Sequence, residues 1–186
     1  MKRLFDIVLL LLILPFLFAP MILIWILVRL TSKGPALYWS NRIGYRNTIF
    51  SMPKFRSMST ETPTVATHLL DNPYQYLSPI GSLLRRTSLD ELPQLWSVLK
   101  GDMSFVGPRP ALFNQHDLIR ARTEVGVDEL LPGITGWAQI QGRDDISIKE
   151  KVQYDLAYLQ HQSFWFDLKI LFFTAAKVLR CSGVSH

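Results

Sequence analysis

A single uninterrupted apolar segment stands out near the N-terminus. Residues Ile7 to Val28 are 22 positions without a charged side chain. At about 1.5 Å rise per residue, a helix of this length just crosses a bilayer core of roughly 30 Å. The run is longer than the ~7–15 apolar residues of a cleaved signal peptide, and no small-residue cleavage site follows it. The pattern therefore predicts a helix that stays attached to a membrane.

Two features of this segment bear on whether it crosses the membrane. Pro15 and Pro20 lie inside the run, and each lacks an N–H and clashes with the carbonyl four residues earlier. A simple span would carry its positive charge on the cytoplasmic side, whereas here both flanks are positive. Both features favour a re-entrant hairpin with its break at Pro20, and a kinked span remains the alternative. The flanking cations are Lys2, Arg3, Arg29, Lys33, Arg42 and Arg46.

A second membrane contact is predicted near the C-terminus. Residues Phe164 to Phe173 place several aromatic side chains beside widely spaced cations, a pattern that continues through Lys177 and Arg180. This fits an amphipathic helix in the membrane interface whose lysines extend outward to water. A helix packed on the protein's own core fits the same pattern, so both readings stay open.

The intervening residues predict one small α+β domain that is mainly helical with a small β-sheet. We expect a re-entrant membrane helix over 1–30, a soluble domain over 31–163, and an interfacial helix with a tail over 164–186. Alternating positions and turn residues predict the individual elements. Strands are predicted at Ala36–Ser40, Thr48–Met52 and Trp137–Ile140, and helices at Leu89–Leu99, Ala111–Gly126 and Ile146–Gln160.

Composition and charge narrow the possible functions. The chain of 186 residues has a formal net charge of +5, and residues 1–60 carry eight cations against Asp6 alone. Because the positive charge brackets the apolar segment, it suits anionic lipid or phosphate headgroups better than nucleic acid. One cysteine, Cys181, excludes a disulfide framework, and the four histidines show no metal-ligand spacing. Phosphate-loop, dinucleotide-binding and serine-esterase motifs do not occur in the sequence.

Two adjacent carboxylates, Asp90 and Glu91, are candidates for chemistry. Ser88 three residues before Glu91 matches a capping box, which would make both carboxylates ordinary helix-start residues. Alternatively, a carboxylate at a helix start close to Arg85 and Arg86 would remain ionised. Such a group, beside a divalent cation, can attack phosphorus. Both readings fit the spacing.

Several cations are candidates for phosphate binding. Arg109 stands between two prolines, so its backbone is stiff and its planar guanidinium suits phosphate. Arg143 follows a predicted strand. Lys54 and Arg56 flank Phe55 and would point to one face of a strand, where a solvated edge is equally compatible.

Four ordered motifs together resemble the bacterial sugar transferases, and more narrowly the small monotopic phosphoglycosyl transferases. The similarity extends over nearly the whole chain. It implies the catalytic core alone, without the N-terminal four-helix membrane domain of larger members. The motifs are RRTSLDELPQLW (Arg85–Trp96), LKGDMSFVGPRP (Leu99–Pro110), PGITGWAQIQGR (Pro132–Arg143) and FDLKIL (Phe166–Leu171).

The resemblance implies a reaction in two steps. Asp90 matches the family's nucleophile and Glu91 its partner. Asp90 would attack a UDP-sugar, expel UMP and keep the phosphosugar, which then passes to a polyprenyl phosphate. Mg²⁺ would be held near both carboxylates, and Arg85, Arg109, Arg143 and Lys54 match cations near the phosphates. The family's re-entrant helix usually breaks at Ser-Pro, and Ala19-Pro20 stands there in this chain.

The implied partners are a UDP-sugar, polyprenyl (undecaprenyl) phosphate and a phospholipid membrane, with no nucleic acid. The implied location is the cytoplasmic face of the bacterial inner membrane. A second copy of the chain or a downstream glycosyltransferase remains open as a partner. Two competing functions use the same residues. The first is a metal-dependent lipid phosphohydrolase, and the second is a non-catalytic anion-binding scaffold at the membrane.

Overall fold

The protein is mostly helical with little sheet, in a computed structural model that describes residues 1–63, 72–142 and 146–179. Short 3₁₀ turns connect several of the elements. The helices are α1 (Lys2–Thr31), α2 (Gly81–Arg86), α3 (Leu95–Lys100), α4 (His116–Glu124), α5 (Trp137–Gln141), α6 (Ile148–His161) and α7 (Phe164–Leu179). The strands are β1 (Leu37–Ile43), β2 (Ile49–Phe55), β3 (Ser104–Val106) and β4 (Gly133–Thr135).

Helix α1 is the apolar segment that the sequence predicts, and its length and composition are sufficient to cross a membrane. The helical backbone continues through Pro15 and Pro20, so the expected break at Pro20 does not end the helix. A proline can bend a helix without terminating it, because neighbouring turns keep their hydrogen bonds. Most of α1 exposes large apolar side chains, among them Leu11, Phe16 and Leu23.

Both ends of α1 are attached to the same folded core. At the first turn, the Arg3 guanidinium donates to the carbonyl oxygens of Val98 and Leu99. The buried carboxylate of Asp6 accepts from the Ser104 hydroxyl at 3.0 Å. Near the other end, two α1 side chains enter an apolar cluster with the β1–β2 hairpin and α2. That cluster consists of Ile24, Val28, Ala36, Phe55 and Leu84.

The central core joins the membrane helix to the rest of the fold. Its buried side chains come from α1, β2, α3, β3, α6 and α7, so these elements share one apolar interior. Burial of this surface is the main stabilising contribution to such a fold. The members are Leu10, Met52, Leu95, Val98, Met103, Phe105, Val106, Leu130, Tyr158 and Ile170.

The strands form two two-stranded sheets in the described part of the chain. β1 and β2 are antiparallel, in register from Leu37 opposite Phe55 to Ile43 opposite Ile49. Both predicted strands are therefore confirmed, although each ends three residues later than the sequence predicted. β3 and β4 are parallel and unusually close. A Cβ on Gly133 would lie 2.1 Å from the backbone nitrogen of Gly107. The glycines in two of the sequence motifs therefore let these backbones touch.

Three predicted elements differ from the observed ones. The strand predicted at Trp137–Ile140 is wrong: this segment is helix α5, and the strand lies earlier, at Gly133–Thr135, where it pairs with β3. The helix predicted from Ala111 begins only at His116, because the Ala111 carbonyl accepts from Ile43 at the end of β1. The predicted Leu89–Leu99 helix divides into a 3₁₀ turn over Leu89–Gln94 and α3, with Pro93 inside the turn.

Helix α7 packs on the core along one face and exposes aromatic side chains on another. Ile170 is fully buried in the core, whereas Trp165 and Phe172 are more than two-thirds exposed. The buried Asp167 accepts from the Tyr158 hydroxyl at 2.6 Å and forms an ion pair with Lys2. This network connects α6, α7 and the start of α1.

Candidate active site

The two candidate carboxylates lie in the 3₁₀ turn Leu89–Gln94, directly before α3. The predicted capping box at Ser88 is wrong, since Ser88 has a φ of 56° and its side chain makes no cap hydrogen bond. A true capping box occurs instead at Ser147 and Glu150, at the start of α6. The Glu91 side chain is consequently available for contacts elsewhere.

Glu91 joins two cations from distant parts of the chain. Its Oε1 accepts from Lys54 Nζ at 2.9 Å and from an Arg109 guanidinium nitrogen at 2.8 Å. The Lys54 and Glu91 side chains are only 14% and 12% exposed, so this cluster is largely shielded from water. Charge-assisted hydrogen bonds are strong in such surroundings. The cluster therefore fixes Glu91 as an anion between two cations.

Asp90 is buried beside this cluster, with 8% of its surface exposed. Burial raises the pKa of Asp90 to about 6, with the neighbouring Glu91 carboxylate adding to the rise, while Lys54, Arg85 and Arg109 oppose it. A carboxylate with this pKa is mostly ionised at pH 7 and weakly solvated. Both properties suit a nucleophile.

The same charges, together with burial, shift the pKa values of Glu91 and Lys54. Burial acts to raise the pKa of Glu91, but Arg109 and Lys54 outweigh it and hold that pKa well below its ordinary range. The pKa of Lys54 is lowered, mainly by burial and further by the positive charges of Arg109 and Arg42. The carboxylates of Glu91 and Asp90 act in the opposite direction but do not outweigh burial. Glu91 thus serves as a permanent anion that keeps Lys54 and Arg109 in place.

Arg109 is supported by an ion pair that the sequence did not reveal. Arg122, in α4, donates to the backbone carbonyl oxygen of Arg109 at 2.8 Å. The same guanidinium bonds the buried Asp155 of α6, with its closest nitrogen 2.7 Å from the carboxylate. Neither Arg122 nor Asp155 lies in one of the four sequence motifs. Their importance is visible only in the structure, where both side chains are buried together. This ion pair therefore fixes the backbone position of the stiff Gly-Pro-Arg-Pro segment.

The remaining candidate cations have different placements. Arg85 lies close enough to lower the pKa of Asp90, and it contacts the Met58 sulfur at 3.0 Å. Arg56 does not join the cluster: it donates to the Pro35 carbonyl oxygen at 2.8 Å and stacks over Tyr38, because the strand ends at Phe55 and the chain turns away. Arg143 lies outside the described residues.

A cavity of about 460 Å³ opens beside the cluster. Glu91 and Arg109 line it from the carboxylate side, and Ile13 and Leu17 of α1 line it from the membrane helix. Lys177 of α7 also lines the cavity, and its ammonium donates to the Ile140 carbonyl oxygen. Of the two readings left open for this helix, Lys177 follows the one in which α7 packs on the protein's own core. The cavity thus connects Glu91, the sequence neighbour of Asp90, with helices α1 and α7, whereas Asp90 itself is not among the lining residues.

Metal binding at this site would rest on few protein ligands. No group of three or more histidine, cysteine or acidic side chains able to hold a metal occurs in the described ranges. Two neighbouring carboxylates, Asp90 and Glu91, are nevertheless a fitting set for Mg²⁺, which usually takes one or two carboxylates together with substrate phosphate oxygens and water. The donor set therefore suits a metal that arrives with a phosphorylated substrate.

Comparison with known proteins gives the site a context. Residues 1–181 match the sequence model of the family described as bacterial sugar transferase. The uncharacterized sugar transferase EpsL of Bacillus subtilis is 42% identical over 86% of this chain and 77% of its own length. The UDP-glucose:undecaprenyl-phosphate glucose-1-phosphate transferase of Escherichia coli is 41% identical over 95% of this chain. The undecaprenyl-phosphate galactose phosphotransferase of Salmonella typhimurium is 38% identical over 98% of it.

The extent of these matches differs between relatives. This chain spans about 40% of the length of the Escherichia coli and Salmonella typhimurium proteins, against 77% of EpsL. The matching part includes the carboxylate turn and the cations around it, because the family match covers residues 1–181.

Proposed function

The chain belongs to the bacterial sugar transferase family, and on that premise we propose that it transfers a sugar phosphate from a UDP-sugar to undecaprenyl phosphate. The products are UMP and an undecaprenyl diphosphate-sugar. The observation that carries the proposal is the buried Asp90, whose pKa of about 6 leaves it ionised at neutral pH beside fixed cations.

Asp90 acts as the nucleophile in the first step. One carboxylate oxygen attacks the β-phosphorus of the donor, an oxygen–phosphorus bond forms, and the bond to the UMP oxygen breaks with its electron pair leaving on UMP. In the second step, a phosphate oxygen of the lipid attacks the same phosphorus, and the acyl–phosphate bond to Asp90 breaks. The carboxylate is thereby regenerated, so no group is consumed.

The cations supply the electrostatic part of the mechanism. Arg109 lines the cavity from a stiff segment, and Lys54 lies behind it on β2, each held by Glu91. Preorganised positive charge of this kind stabilises the negative charge that develops on transferring phosphoryl oxygens. Arg85 adds positive charge near Asp90. Mg²⁺ bound at Asp90 and Glu91 would supply further charge neutralisation for the donor diphosphate.

The attachment of α1 supports a re-entrant topology, and we propose that both of its ends lie on the cytoplasmic face. Arg3 at its start and Val28 near its end both contact the same folded core, which a helix with ends on opposite membrane faces could not do. Labelling tests this with Leu4→Cys and Lys33→Cys in a Cys181→Ser background. We expect both to react with an impermeant maleimide only in inside-out vesicles, whereas a span would label the two from opposite sides.

Nucleotide release tests the reaction itself. The purified protein in mild detergent receives undecaprenyl phosphate, Mg²⁺ and a panel of UDP-sugars, and UMP and UDP are quantified separately. We expect UMP from a matching donor, abolished by Asp90→Asn and by EDTA. Asp117→Asn, which alters an exposed carboxylate of α4, is the matched control and should be unaffected.

Two further readouts separate the alternatives. With donor but no acceptor, intact mass measurement should show a phosphosugar adduct that hydroxylamine removes, as expected of an acyl phosphate. Release of UDP would refute phosphosugar transfer. Release of inorganic phosphate from undecaprenyl phosphate, without any nucleotide, would identify a lipid phosphohydrolase instead.

A further inference from the structure

The cavity beside the carboxylates is built for a ligand that is both apolar and anionic. Much of its wall is hydrophobic, and part of that wall belongs to the membrane helix itself. Apolar side chains are common in small-molecule pockets, but here α1, the candidate membrane helix, supplies part of the wall, which suits an aliphatic chain that enters from a bilayer. The apolar wall includes Ile13, Leu17, Phe105, Ile134, Ile140 and Val178.

Two cations in this cavity have no carboxylate partner among the residues that the structure describes. Lys177 is half-buried, and its ammonium is held by the Ile140 carbonyl oxygen alone. Arg86, at the end of α2, is exposed and also lines the cavity. Removing a charge from water without an opposite charge is costly. A bound anion would offset that cost for Lys177 and would draw in Arg86.

The position of Lys177 on α7 indicates where in the molecule such an anion would bind. It lies on the same helix as the exposed Phe172 and Val178, which are side chains suited to the membrane interface. A cation beside such side chains suits a lipid headgroup, and Glu91 and Arg109 line the same cavity. An anion on Lys177 shares the cavity with the phosphates that Arg109 would bind.

We propose that Lys177, assisted by Arg86, binds the phosphate of the polyprenyl phosphate acceptor, and that the first isoprene units lie along Ile13, Leu17 and Val178. This rests on the proposed function, since it assigns the acceptor half of the same cavity. Lys177 touches the attacking phosphate and holds it in place. Arg109 and Lys54 serve the donor half.

Steady-state kinetics distinguishes the acceptor half of the cavity from the donor half. Lys177→Gln keeps a donor for the Ile140 carbonyl but removes the charge, so α5 stays in place. We expect its KM for undecaprenyl phosphate to rise at least tenfold, because the charge-assisted hydrogen bond to the acceptor phosphate is lost. The KM for the UDP-sugar and the UMP burst without acceptor should not change. Lys177→Arg should recover most of the acceptor affinity.

Lys169→Gln is the matched control. Lys169 lies on the same helix but stacks over Trp137 and does not line the cavity, so this variant should behave like the unmodified protein. An unchanged acceptor KM in Lys177→Gln would overturn the proposal. So would a loss of the acceptor-free UMP burst, because that would place Lys177 on the donor side.

A binding measurement keeps this test separate from the proposed reaction. Calorimetric titration of the detergent-solubilised protein uses farnesyl phosphate, farnesol and inorganic phosphate as probes. We expect binding of farnesyl phosphate only, weakened about tenfold in Lys177→Gln. Equal binding of farnesol would show an apolar groove without a phosphate site, and equal binding of inorganic phosphate would show a general anion site. Either result overturns the proposal even if UMP is never released.

Discussion

The guanidinium of Arg122 donates a 2.8 Å hydrogen bond to the backbone carbonyl oxygen of Arg109. Arg122 is itself held by the buried Asp155, so a structural ion pair helps to determine where Arg109, the candidate phosphate-binding arginine, lies. The contact joins helices α4 and α6 to the site without either helix contributing a group to the carboxylate cluster. Catalytic geometry often depends on such supporting contacts, because small displacements of a positioned charge reduce the rate.

Removing Arg122 should therefore affect both stability and activity. Arg122→Met leaves Asp155 buried without its partner, and we expect a loss of about 3–5 kcal/mol in the free energy of unfolding. Chemical denaturation in mild detergent measures this. Arg122→Met combined with Asp155→Leu should regain most of the stability and yet release UMP at least about tenfold more slowly, since Arg109 still lacks its support. Full activity in the double variant would contradict this positioning role.

The rate of UMP release should depend on pH through Asp90. Its pKa is about 6, and only the ionised carboxylate attacks phosphorus, so the acceptor-free burst rate should rise with pH up to about 6 and then level off. Because Arg85 lowers this pKa, Arg85→Met should move the midpoint to higher pH. Rapid-quench measurements between pH 4.5 and 8 test both points. A midpoint near 4 would show that Asp90 in the reacting enzyme lacks the raised pKa, either because it is solvated or because Mg²⁺ is bound to it.

The buried, ionised Asp90 should lower the free energy of unfolding at neutral pH. The folded protein keeps the Asp90 proton up to about pH 6, whereas the unfolded chain releases it near 3.8, so stability falls as pH rises between these values. The loss is on the order of 3 kcal/mol, from about 1.4 kcal/mol per pKa unit. Asp90→Asn has no charge to bury at this position, so we expect this variant to unfold at a higher temperature than the unmodified protein at pH 7.5. Near pH 4 the two unfolding temperatures should be equal. A destabilised Asp90→Asn at pH 7.5 would match a plain helix-start residue instead.

The two cations that flank Phe55 should differ sharply in effect. Lys54→Met removes a contact of Glu91 and a positive charge near Asp90, and we expect kcat/KM for the UDP-sugar to fall about 100-fold or more. Arg56→Met removes contacts to Pro35 and Tyr38 only, so kcat/KM should stay within about threefold. Donor kinetics of both variants decides this. Equal losses would mean that Arg56 reaches the substrate as well.

Local patterns were sufficient to predict several elements. The length of the uncharged run predicted α1, and alternation with turn residues predicted the β1–β2 hairpin. The charged periodic segment predicted α6 within two residues at each end. Errors arose where a distant backbone decided the conformation. Gly133–Thr135 forms a strand because it pairs with β3, and nothing within the local sequence shows that β3 is adjacent.

The sequence by itself determined which residue types are present for the chemistry: two adjacent carboxylates, an arginine between prolines and an apolar helix flanked by cations. Only the tertiary structure decided which of these meet. Lys54 reaches Glu91 while Arg56 does not, and Lys177 turns into the cavity instead of outward. The reason is physical: side-chain type and spacing are local properties, whereas ion pairing and burial depend on which distant backbones approach each other. Gly107 and Gly133 are one example, because the absence of side chains there allows two distant backbone segments to lie in contact.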